Sequence, residues 1–391
     1  MILTNKQEQG LKIAIDRYKN NERFTVISGY AGTGKSTLVK YLIAALNVRE
    51  DDVCYAAFTG KAAQVLLKKG NKNVSTLHRL LFKSFPKPDG TFYRRKVSSI
   101  PYKIVIVDEV SMAPKSLMQI LFSFKNVHII CLGDPFQLPP VDANEDNHLL
   151  DNPHIFLDEV MRQAQESEII RVTMDIRQSK PLTYMQGQEV MILPKGELST
   201  GMLQWADQIL VGTNQTRVNI NNQMRELLGR GGAPEDGDKV ICLKNYWDIF
   251  ADNDDPLVNG TIGYLNNSFS SFLQLPYRAF EGKRVGTIQG NVISDSGATY
   301  SDLNMDKKLI LTGENSLDWK TMYRLKGNPR TAHLVPLEFT YAYAITGHKA
   351  QGSEWPNVLV IEERFPFDKT EHARWLYTCA TRAEEKLVLV K

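Results

Sequence analysis

Residues 24–36 of the chain read FTVISGYAGTGKS. The apolar, β-branched run from Phe24 to Ser28 predicts a buried strand, and Leu38 and Leu42 begin a helical pattern on the other side. Between them the sequence fits G-x-x-x-x-G-K-[ST]. A glycine-rich turn between a strand and a helix is the setting in which this pattern binds phosphate. The segment therefore predicts a P-loop on a parallel α/β sheet.

The residue types of this loop suit a nucleoside triphosphate. Glycines allow backbone N–H groups to wrap the phosphates, and the helix N-terminus adds a favourable dipole. Lys35 is predicted to hold the β- and γ-phosphates and Ser36 to ligate Mg²⁺. The ATP-binding residues predicted in this segment are Gly29, Gly32, Thr33, Gly34, Lys35, Ser36 and Thr37.

A second apolar run, Ile104–Val107, ends in the two carboxylates Asp108 and Glu109. The carboxyl ends of parallel strands share one edge of the sheet, so this pair is expected beside the P-loop. Asp108 is predicted to hold Mg²⁺, and Glu109 to orient and deprotonate the attacking water. Alone, the pair could equally be a solvated strand end. With the P-loop it predicts hydrolysis of a nucleoside triphosphate, but not what the hydrolysis drives.

Further apolar runs extend the α/β pattern along the chain. The predicted strands are Val53–Phe58, Val127–Leu132, Gln208–Gly212, Val358–Ile361 and Lys386–Val390. Because such runs alternate with helical patterns, two parallel sheets are expected. Between 256 and 331 Asn, Ser, Gly and Asp become frequent, and short strands are predicted at Arg284–Ile288 and Lys308–Leu311. This change predicts a small antiparallel module inserted into the second α/β domain.

Composition excludes several classes of protein. The 391 residues are 42% hydrophobic and 23% charged with a net charge of +3, so a nucleic-acid site would have to be a local groove. The four cysteines show no C-x-x-C spacing, which argues against a zinc site or a disulfide framework. Neither a signal peptide nor a membrane-length apolar run is evident. We expect a cytoplasmic protein, in a bacterial or phage-infected cell, that does not act at a membrane.

Several further segments together resemble the conserved motifs of the superfamily 1 helicases. They are, in chain order, residues 3–7 (LTNKQ), 58–63 (FTGKAA), 75–78 (STLH), 133–140 (GDPFQLPP), 157–163 (LDEVMRQ), 346–354 (TGHKAQGSE) and 377–383 (YTCATRA). The resemblance spans almost the whole chain. The sequence QLPP after Asp134 is similar to the 5′→3′ branch, superfamily 1B, and the compact length is closest to the phage Dda-type and RecD-like enzymes.

This resemblance implies roles for individual residues. Gln137 would sense the γ-phosphate, and Arg162 and Arg382 would stabilise the charge of the transferred phosphoryl group. Gln7 would read adenine. The resemblance adds Gly352 and Glu354 to the ATP-binding set. It implies DNA contacts for Phe58, Thr59, Lys61, His78, Thr213, Asn214, Thr346, His348 and Lys349. Outside these motifs such arginines and histidines would be interpreted as ordinary surface or satisfied polar residues.

The family also implies a domain organisation. A RecA-like domain 1A would occupy residues 1–175 and carry a 1B hairpin at about 80–101. A second RecA-like domain, 2A, would comprise 176–255 and 332–391, and an SH3-like module, 2B, would comprise 256–331. The predicted fold class is therefore α/β, with two RecA-like P-loop domains and two β insertions.

The expected hairpin carries basic and aromatic residues around a Pro88-Asp89-Gly90 turn. Bases can stack on aromatic side chains while cations accompany the phosphates. Phe92 is the candidate for a strand-separation pin, with Tyr93 and Phe85 as alternatives because hairpin register is not fixed by one sequence. A solvated surface hairpin remains the other interpretation.

The expected function is an ATP- and Mg²⁺-dependent 5′→3′ DNA helicase. It would act as a monomer on single-stranded DNA and on junctions with duplex, with a single-strand-binding or replisome protein as a possible partner. Three alternatives stay open at this point. They are a translocase that displaces proteins without robust unwinding, an ATPase accessory subunit of recombination or replication, and a P-loop small-molecule kinase.

Overall fold

The computed structural model describes residues 3–86, 92–140, 143–161, 166–253, 255–328, 330–364 and 368–391. The chain divides into two compact units. The first comprises Met1–Phe82, Lys96–Thr213 and Thr346–Lys391, and the second comprises Lys83–Arg95 and Asn214–Ile345.

The helices alternate with strands in the first unit and are fewer in the second. They are α1 Asn5–Lys19, α2 Lys35–Leu46, α3 Gly60–Lys68, α4 Leu77–Leu81, α5 Lys115–Phe122, α6 Glu168–Arg177, α7 Thr200–Trp205, α8 Asn214–Leu227, α9 Tyr277–Phe280, α10 Lys307–Thr312, α11 Trp319–Lys326, α12 Gly347–Ala350 and α13 Lys369–Ala380. Among the residues with an assigned position, no helix has the length and apolar composition needed to cross a bilayer.

The first unit contains a six-stranded parallel sheet with the order β3-β2-β6-β7-β1-β8. Its strands are β1 Phe24–Gly29, β2 Val53–Ala57, β3 Val74–Thr76, β6 Ile104–Val107, β7 His128–Gly133 and β8 Ile155–Leu157. All four residues of β6 are buried, as expected for a sheet covered on both faces. Because β6, β7 and β1 are neighbours, their carboxyl ends bring the P-loop, Asp108 and Glu109, and the segment after Gly133 to one edge.

A second sheet has the order β19-β11-β20-β21-β10-β9, and all of its strands except β19 lie wholly in the same unit. Strand β9 is antiparallel to β10, and the pairs β10–β21, β21–β20 and β20–β11 are parallel. Its strands are β9 Met185–Gln186, β10 Val190–Leu193, β11 Gln208–Val211, β20 Trp355–Ile361 and β21 Ala383–Val390. β19 (Ala344–Thr346) lies at the boundary between the units. The two parallel sheets expected from the sequence are therefore both present.

The second unit is built on an antiparallel sheet with the order β17-β16-β15-β12-β18. Its strands, with a small two-stranded ladder of β13 and β14, are β12 Lys239–Cys242, β13 Tyr246–Phe250, β14 Pro256–Leu257, β15 Ile262–Gln274, β16 Arg284–Ser294, β17 Thr299–Asp306 and β18 Phe339–Tyr341. The sheet includes strands on both sides of the 256–331 interval. The domain limits inferred from the sequence stay predictions.

One predicted strand in this region is wrong. Residues 308–311 belong to helix α10, not to a strand. Asp306 caps the helix by accepting a hydrogen bond from the Leu309 N–H at 3.1 Å, and Gly313 ends it in the left-handed conformation. The short apolar run is compatible with a strand or with a helix, and these two caps favour the helix.

The hairpin region forms the two-stranded ladder of β4 Phe82–Pro86 and β5 Phe92–Lys96. Its turn, residues 87–91, lies outside the described residues. This ladder lies within the interval of about 80–101, and the 1B hairpin stays a prediction.

Candidate nucleotide and nucleic-acid site

The P-loop connects β1 to α2 as its sequence requires. Gly34 is the N-cap of α2 and has φ of 78°, a conformation that favours glycine. A Cβ at this position would overlap the Gln7 amide and the Met161 sulfur. The close packing and the positive φ explain why the loop needs glycine at its last turn.

Lys35 and Ser36 follow at the start of α2. The Lys35 Nζ donates to the carbonyl oxygens of Gly29 at 2.7 Å and Tyr30 at 3.0 Å, which holds the ammonium over the loop. Ser36 lines a cavity of about 210 Å³ together with Asp108. A hydroxyl and a carboxylate are oxygen donors of the kind that Mg²⁺ prefers, and Mg²⁺ commonly takes only one or two protein ligands. The pair therefore fits a Mg²⁺ site.

Asp108 and Glu109 extend from the end of β6. Asp108 Oδ1 accepts a hydrogen bond from the Glu109 N–H at 2.9 Å. Burial, and then the neighbouring Glu109 carboxylate, raise the pKa of Asp108 to about 6, while Lys35 acts in the opposite direction. Glu109 has φ of 50°, which a residue with a Cβ rarely adopts. Backbone strain of this kind is concentrated at functional positions.

Gln137 and Arg382 surround the Glu109 carboxylate. In the amide orientation that satisfies both partners, Gln137 Nε2 donates to Glu109 Oε2 at 2.9 Å and Gln137 Oε1 accepts from Arg382 Nη2 at 3.1 Å. The Arg382 Nη1 lies 3.9 Å from Glu109 Oε1. Arg382 stands between α13 and β21 of the second sheet, whereas Glu109 follows β6 of the first. Residues from both sheets thus meet at the predicted water-activating carboxylate.

Arg382 is held rigidly in this position. It is only 2% exposed. Its guanidinium donates to the Thr378 carbonyl at 3.1 Å, the Ser353 carbonyl at 3.2 Å and the Thr381 hydroxyl at 3.1 Å. A guanidinium fixed by three acceptors can present its remaining N–H groups with little loss of side-chain entropy.

Tyr377 links the same two parts of the unit. Its hydroxyl accepts from the Ala31 N–H of the P-loop at 2.8 Å and donates to Asp134 Oδ2 at 2.6 Å. Burial raises the pKa of the Asp134 carboxyl, and Lys35 opposes that shift. Burial also raises the pKa of Tyr377, so the phenol keeps the proton that it donates. The P-loop, the segment after β7 and α13 therefore share one hydroxyl group.

A second pair of bonds reinforces that link. The Leu138 N–H donates to Thr378 Oγ1 at 3.0 Å, and Gln351 Nε2 donates to the Leu138 carbonyl at 2.6 Å. Both bonds are buried and connect the GDPFQLPP segment with the two motifs of the second sheet.

The residues predicted to contact DNA in the first α/β region lie close together. Thr59 caps α3 by accepting from the Ala62 N–H at 3.1 Å. The rings of Phe58 and His78 have centroids 5.9 Å apart, and those of His78 and Phe82 lie 6.4 Å apart. A Cβ at Gly352 would lie 3.3 Å from Thr59 Oγ1, which brings the 346–354 segment against the same place. Lys61 follows at the second position of α3.

The predicted DNA contacts near the second sheet have varied surroundings. Thr213 donates from its N–H at 2.9 Å and its hydroxyl at 3.0 Å to Glu363. Thr346 is the N-cap of α12, which carries His348 and Lys349. Burial lowers the pKa of His348 and favours the neutral ring. Asn214 begins α8 in the second unit.

Comparison with known proteins gives an independent result. Residues 4–190 match the family model described as an AAA domain, and residues 341–390 match the UvrD-like helicase C-terminal domain. The chain is 27% identical to the ATP-dependent RecD2 DNA helicase of Deinococcus radiodurans over 93% of its own length and 46% of that protein. It is 32% identical to the ATP-dependent DNA helicase dda of Enterobacteria phage T4 over 46% of this chain and 43% of that one.

The chain is therefore similar to ATP-dependent DNA helicases of the RecD and Dda kind, in agreement with the superfamily 1B resemblance of its motifs. A solved structure of the Pif1 helicase from Bacteroides in complex with ADP-AlF3 and single-stranded DNA covers this chain completely, with 92% of that structure matched, a TM-score of 0.53 and 18% identity. That likeness concerns the fold alone. The chain spans less than half the length of the RecD2 and dda proteins that it matches.

The structure places two of the predicted ATP-site residues, Gln7 and Glu354, among specific partners. Gln7 is buried, with its Oε1 accepting from the Thr4 N–H and its Nε2 donating to the Thr33 carbonyl, each at 3.0 Å. It therefore braces the P-loop, and adenine recognition stays a prediction. Glu354 pairs with Lys69 at 3.0 Å, and Lys69 lines the cavity of Ser36 and Asp108.

The remaining predicted site residues are Arg162 and the three candidate pin aromatics. Arg162 and the side chains of Phe92 and Tyr93 lie outside the described residues, while Phe85 is exposed. Tyr377 and Asp134 had no predicted role, although both belong to motifs that resemble those of superfamily 1B. Their position in these motifs was the sequence feature that could have identified them. The hydrogen bond between them could not be predicted from the sequence.

Proposed function

We propose that this protein is an ATP-dependent motor that moves 5′→3′ along single-stranded DNA and unwinds duplex ahead of it. The observation that carries the proposal is the contact of Arg382 with Glu109 through Gln137. Residues from two RecA-like sheets share one predicted hydrolysis site. ATP binding and hydrolysis at such a site can therefore move the two sheets relative to each other.

The proposed chemistry follows from the positions of the side chains. Lys35 holds the β- and γ-phosphates, and Ser36 and Asp108 hold Mg²⁺, which neutralises phosphate charge when bound. Glu109 takes a proton from the attacking water, which Gln137 helps to orient. Arg382 stabilises the charge that spreads over the transferred phosphoryl group, and Arg162 is proposed to do the same.

Coupling to the DNA is proposed to run through the segment 346–354. Its Gln351 bonds the GDPFQLPP segment, and its Gly352 lies against Thr59 at the start of α3. A structural change at the phosphate site would therefore alter the position of the residues that are predicted to bind the DNA strand. Alternating grip by the two sheets would advance the strand in steps. We further propose that the protein works as a monomer on single strands and junctions, and that a single-strand-binding or replisome protein assists it.

The polarity of movement is tested with duplexes that carry a single-stranded tail. We expect ATP-dependent unwinding of a 5′-tailed duplex and little unwinding of a 3′-tailed one, with ATPase activity that requires single strands. Single-strand affinity should fall steeply with salt, because each phosphate contact releases counterions with a slope of about −0.7 per contact.

Each alternative function gives a different result in these assays. Unwinding from 3′ tails alone would contradict the 5′→3′ assignment. Strand-stimulated ATPase with protein displacement but no unwinding of either duplex would indicate the translocase. ATPase activity indifferent to single strands would indicate an accessory subunit or a kinase.

A further prediction concerns the hairpin of β4 and β5. Each opened base-pair step costs about 1.4 kcal/mol of stacking, so a side chain that stacks on the terminal pair would help to hold the fork open. We expect Phe92→Ala to lose duplex unwinding and to keep strand-stimulated ATPase. Tyr93→Ala and Phe85→Ala are the matched alternatives on the same hairpin. Normal unwinding by all three variants would show that the hairpin is not the wedge.

A further inference from the structure

Helix α11 in the second unit is firmly attached along one side. Leu317 and Leu325 are buried in a cluster with Leu275 and Val285 of the antiparallel module. Asp318 caps the helix by accepting from the Thr321 N–H at 2.9 Å and the Thr321 hydroxyl at 2.7 Å. The helix therefore presents its opposite side in a fixed orientation.

That opposite side carries two large aromatic residues in solvent. Trp319 is 68% exposed and Tyr323 is 73% exposed. They stand one helical turn apart, with ring centroids separated by 6.4 Å and planes inclined at 60°. Exposing this much aromatic surface is unfavourable, and a cluster of such residues commonly marks a binding surface.

The charged residues in the stretch of sequence that carries these rings are almost all positive. From residue 318 to residue 330 the chain contains Lys320, Arg324, Lys326 and Arg330 against a single acid, Asp318. The Asp318 carboxylate is occupied by the helix cap, and those bonds lower its pKa. The Arg324 guanidinium lies 5.1 Å from the centre of the Phe280 ring, which supports its position on the helix surface.

The chemistry of this surface selects one class of ligand. Every exposed position of α11 is aromatic or cationic: Trp319, Lys320, Tyr323, Arg324 and Lys326. Trp, Tyr and Arg are also frequent at protein interfaces, but Lys is depleted there, and this helix exposes two lysines beside its aromatic rings. Aromatic side chains on which bases stack, beside cations for the phosphates, are the combination that binds single-stranded nucleic acid.

We propose that the outer face of α11 is a second contact for single-stranded DNA, used in addition to the predicted channel residues and independently of ATP. One base would stack on Trp319 or Tyr323, and Lys320 and Arg324 would pair with the flanking phosphates. The proposal extends the proposed function, because it assumes that single-stranded DNA is the track. This second contact would lengthen the DNA-binding site and would keep the DNA strand bound between ATPase cycles.

The test compares oligothymidines of about 8 and about 30 nucleotides, since a single binding module typically covers about 4–16. Fluorescence anisotropy without nucleotide gives the affinity of the full chain for each. The double variant Trp319→Ala/Tyr323→Ala should bind the long oligomer about 5- to 100-fold more weakly. Its affinity for the short oligomer and its kcat at saturating DNA should match those of the unaltered chain.

Two further variants make the comparison specific. Tyr184→Ala removes an aromatic that is also well exposed, at 60%, from the first unit and should change neither affinity. Lys320→Gln keeps both rings and should reduce the salt dependence of long-oligomer binding by about one counterion contact. Both residues are exposed, so the fold should tolerate these changes.

Each other outcome overturns the proposal. Unchanged affinity of the double variant for the long oligomer would show that this surface does not bind single strands, while leaving the motor function intact. Equal losses on both oligomers, together with lost ATPase stimulation, would place the residues in the motor channel. If the unaltered chain bound neither oligomer and its ATPase ignored single strands, the proposed function would fall as well.

Discussion

Glu109→Gln is expected to bind ATP and Mg²⁺ with near-normal affinity and to lower kcat by about 10²–10⁴-fold. The amide has the size of the carboxylate but cannot take a proton from water. Gln137 and Arg382 surround this group, and the amide oxygen can still accept a hydrogen bond from them. The measurement is strand-stimulated ATPase activity together with the Kd for a fluorescent ATP analogue.

Two other variants show whether the effect belongs to this carboxylate. Glu145→Gln changes a carboxylate that accepts from the Ser116 N–H and hydroxyl and contacts none of the predicted ATP-site residues in these bonds, and it should leave kcat unchanged. Lys35→Ala should weaken nucleotide binding as well as turnover, because it removes the phosphate cation. Turnover by Glu109→Gln within a few-fold of normal would show that the water is activated elsewhere.

The parts of this site that are local in the chain were predictable from the sequence. A β-branched run, a glycine-rich turn and a helix pattern follow one another within residues 24–46, and the structure confirms β1, the P-loop and α2. Asp108 and Glu109 were placed beside the loop because strands of a parallel sheet end at a common edge. Such inferences require only the direction of the strands and the assumption that they are close together in one sheet.

The local sequence pattern gave a wrong prediction where a strand and a helix were both compatible with it. The KKLILT sequence of α10 contains an apolar run too short for a helical period to show. Its Asp306 and Gly313 caps, one at each end, are ordinary helix signals that outweigh the β-branched content. The positive φ of Glu109 likewise has no sequence signature, because a glutamate rarely adopts this conformation.

Contacts between segments that are distant in the chain could not be predicted, for a different reason. Tyr377, Ala31 and Asp134 meet at one hydroxyl although they come from separate parts of the chain. The resemblance to superfamily 1B indicated that their motifs belong to one site. It could not indicate which atoms bond, because hydrogen bonds depend on how the two sheets pack.

Arg382→Ala is expected to lower kcat by about 10³–10⁵-fold, the loss typical of an arginine that stabilises phosphoryl transfer. The affinity for ATP should change far less, because the charge that Arg382 would meet develops in the transition state. Arg162→Ala is expected to behave alike. Single-turnover hydrolysis and nucleotide binding, measured on the same preparations, separate the two effects.

A loss of folding must be distinguished from a loss of chemistry, because Arg382 is buried and donates to the Thr378 and Ser353 carbonyls. Arg382→Lys keeps a cation and part of that bonding but lacks the planar fork, so we expect a Tm closer to normal with turnover still strongly reduced. Arg49→Ala, which removes an exposed arginine paired with Asp52 before β2, should change neither quantity. If Arg382→Lys hydrolyses ATP within a few-fold of the unaltered chain, the guanidinium serves the packing of α13 against β20 and β21, and the charge at the γ-phosphate must come from another residue.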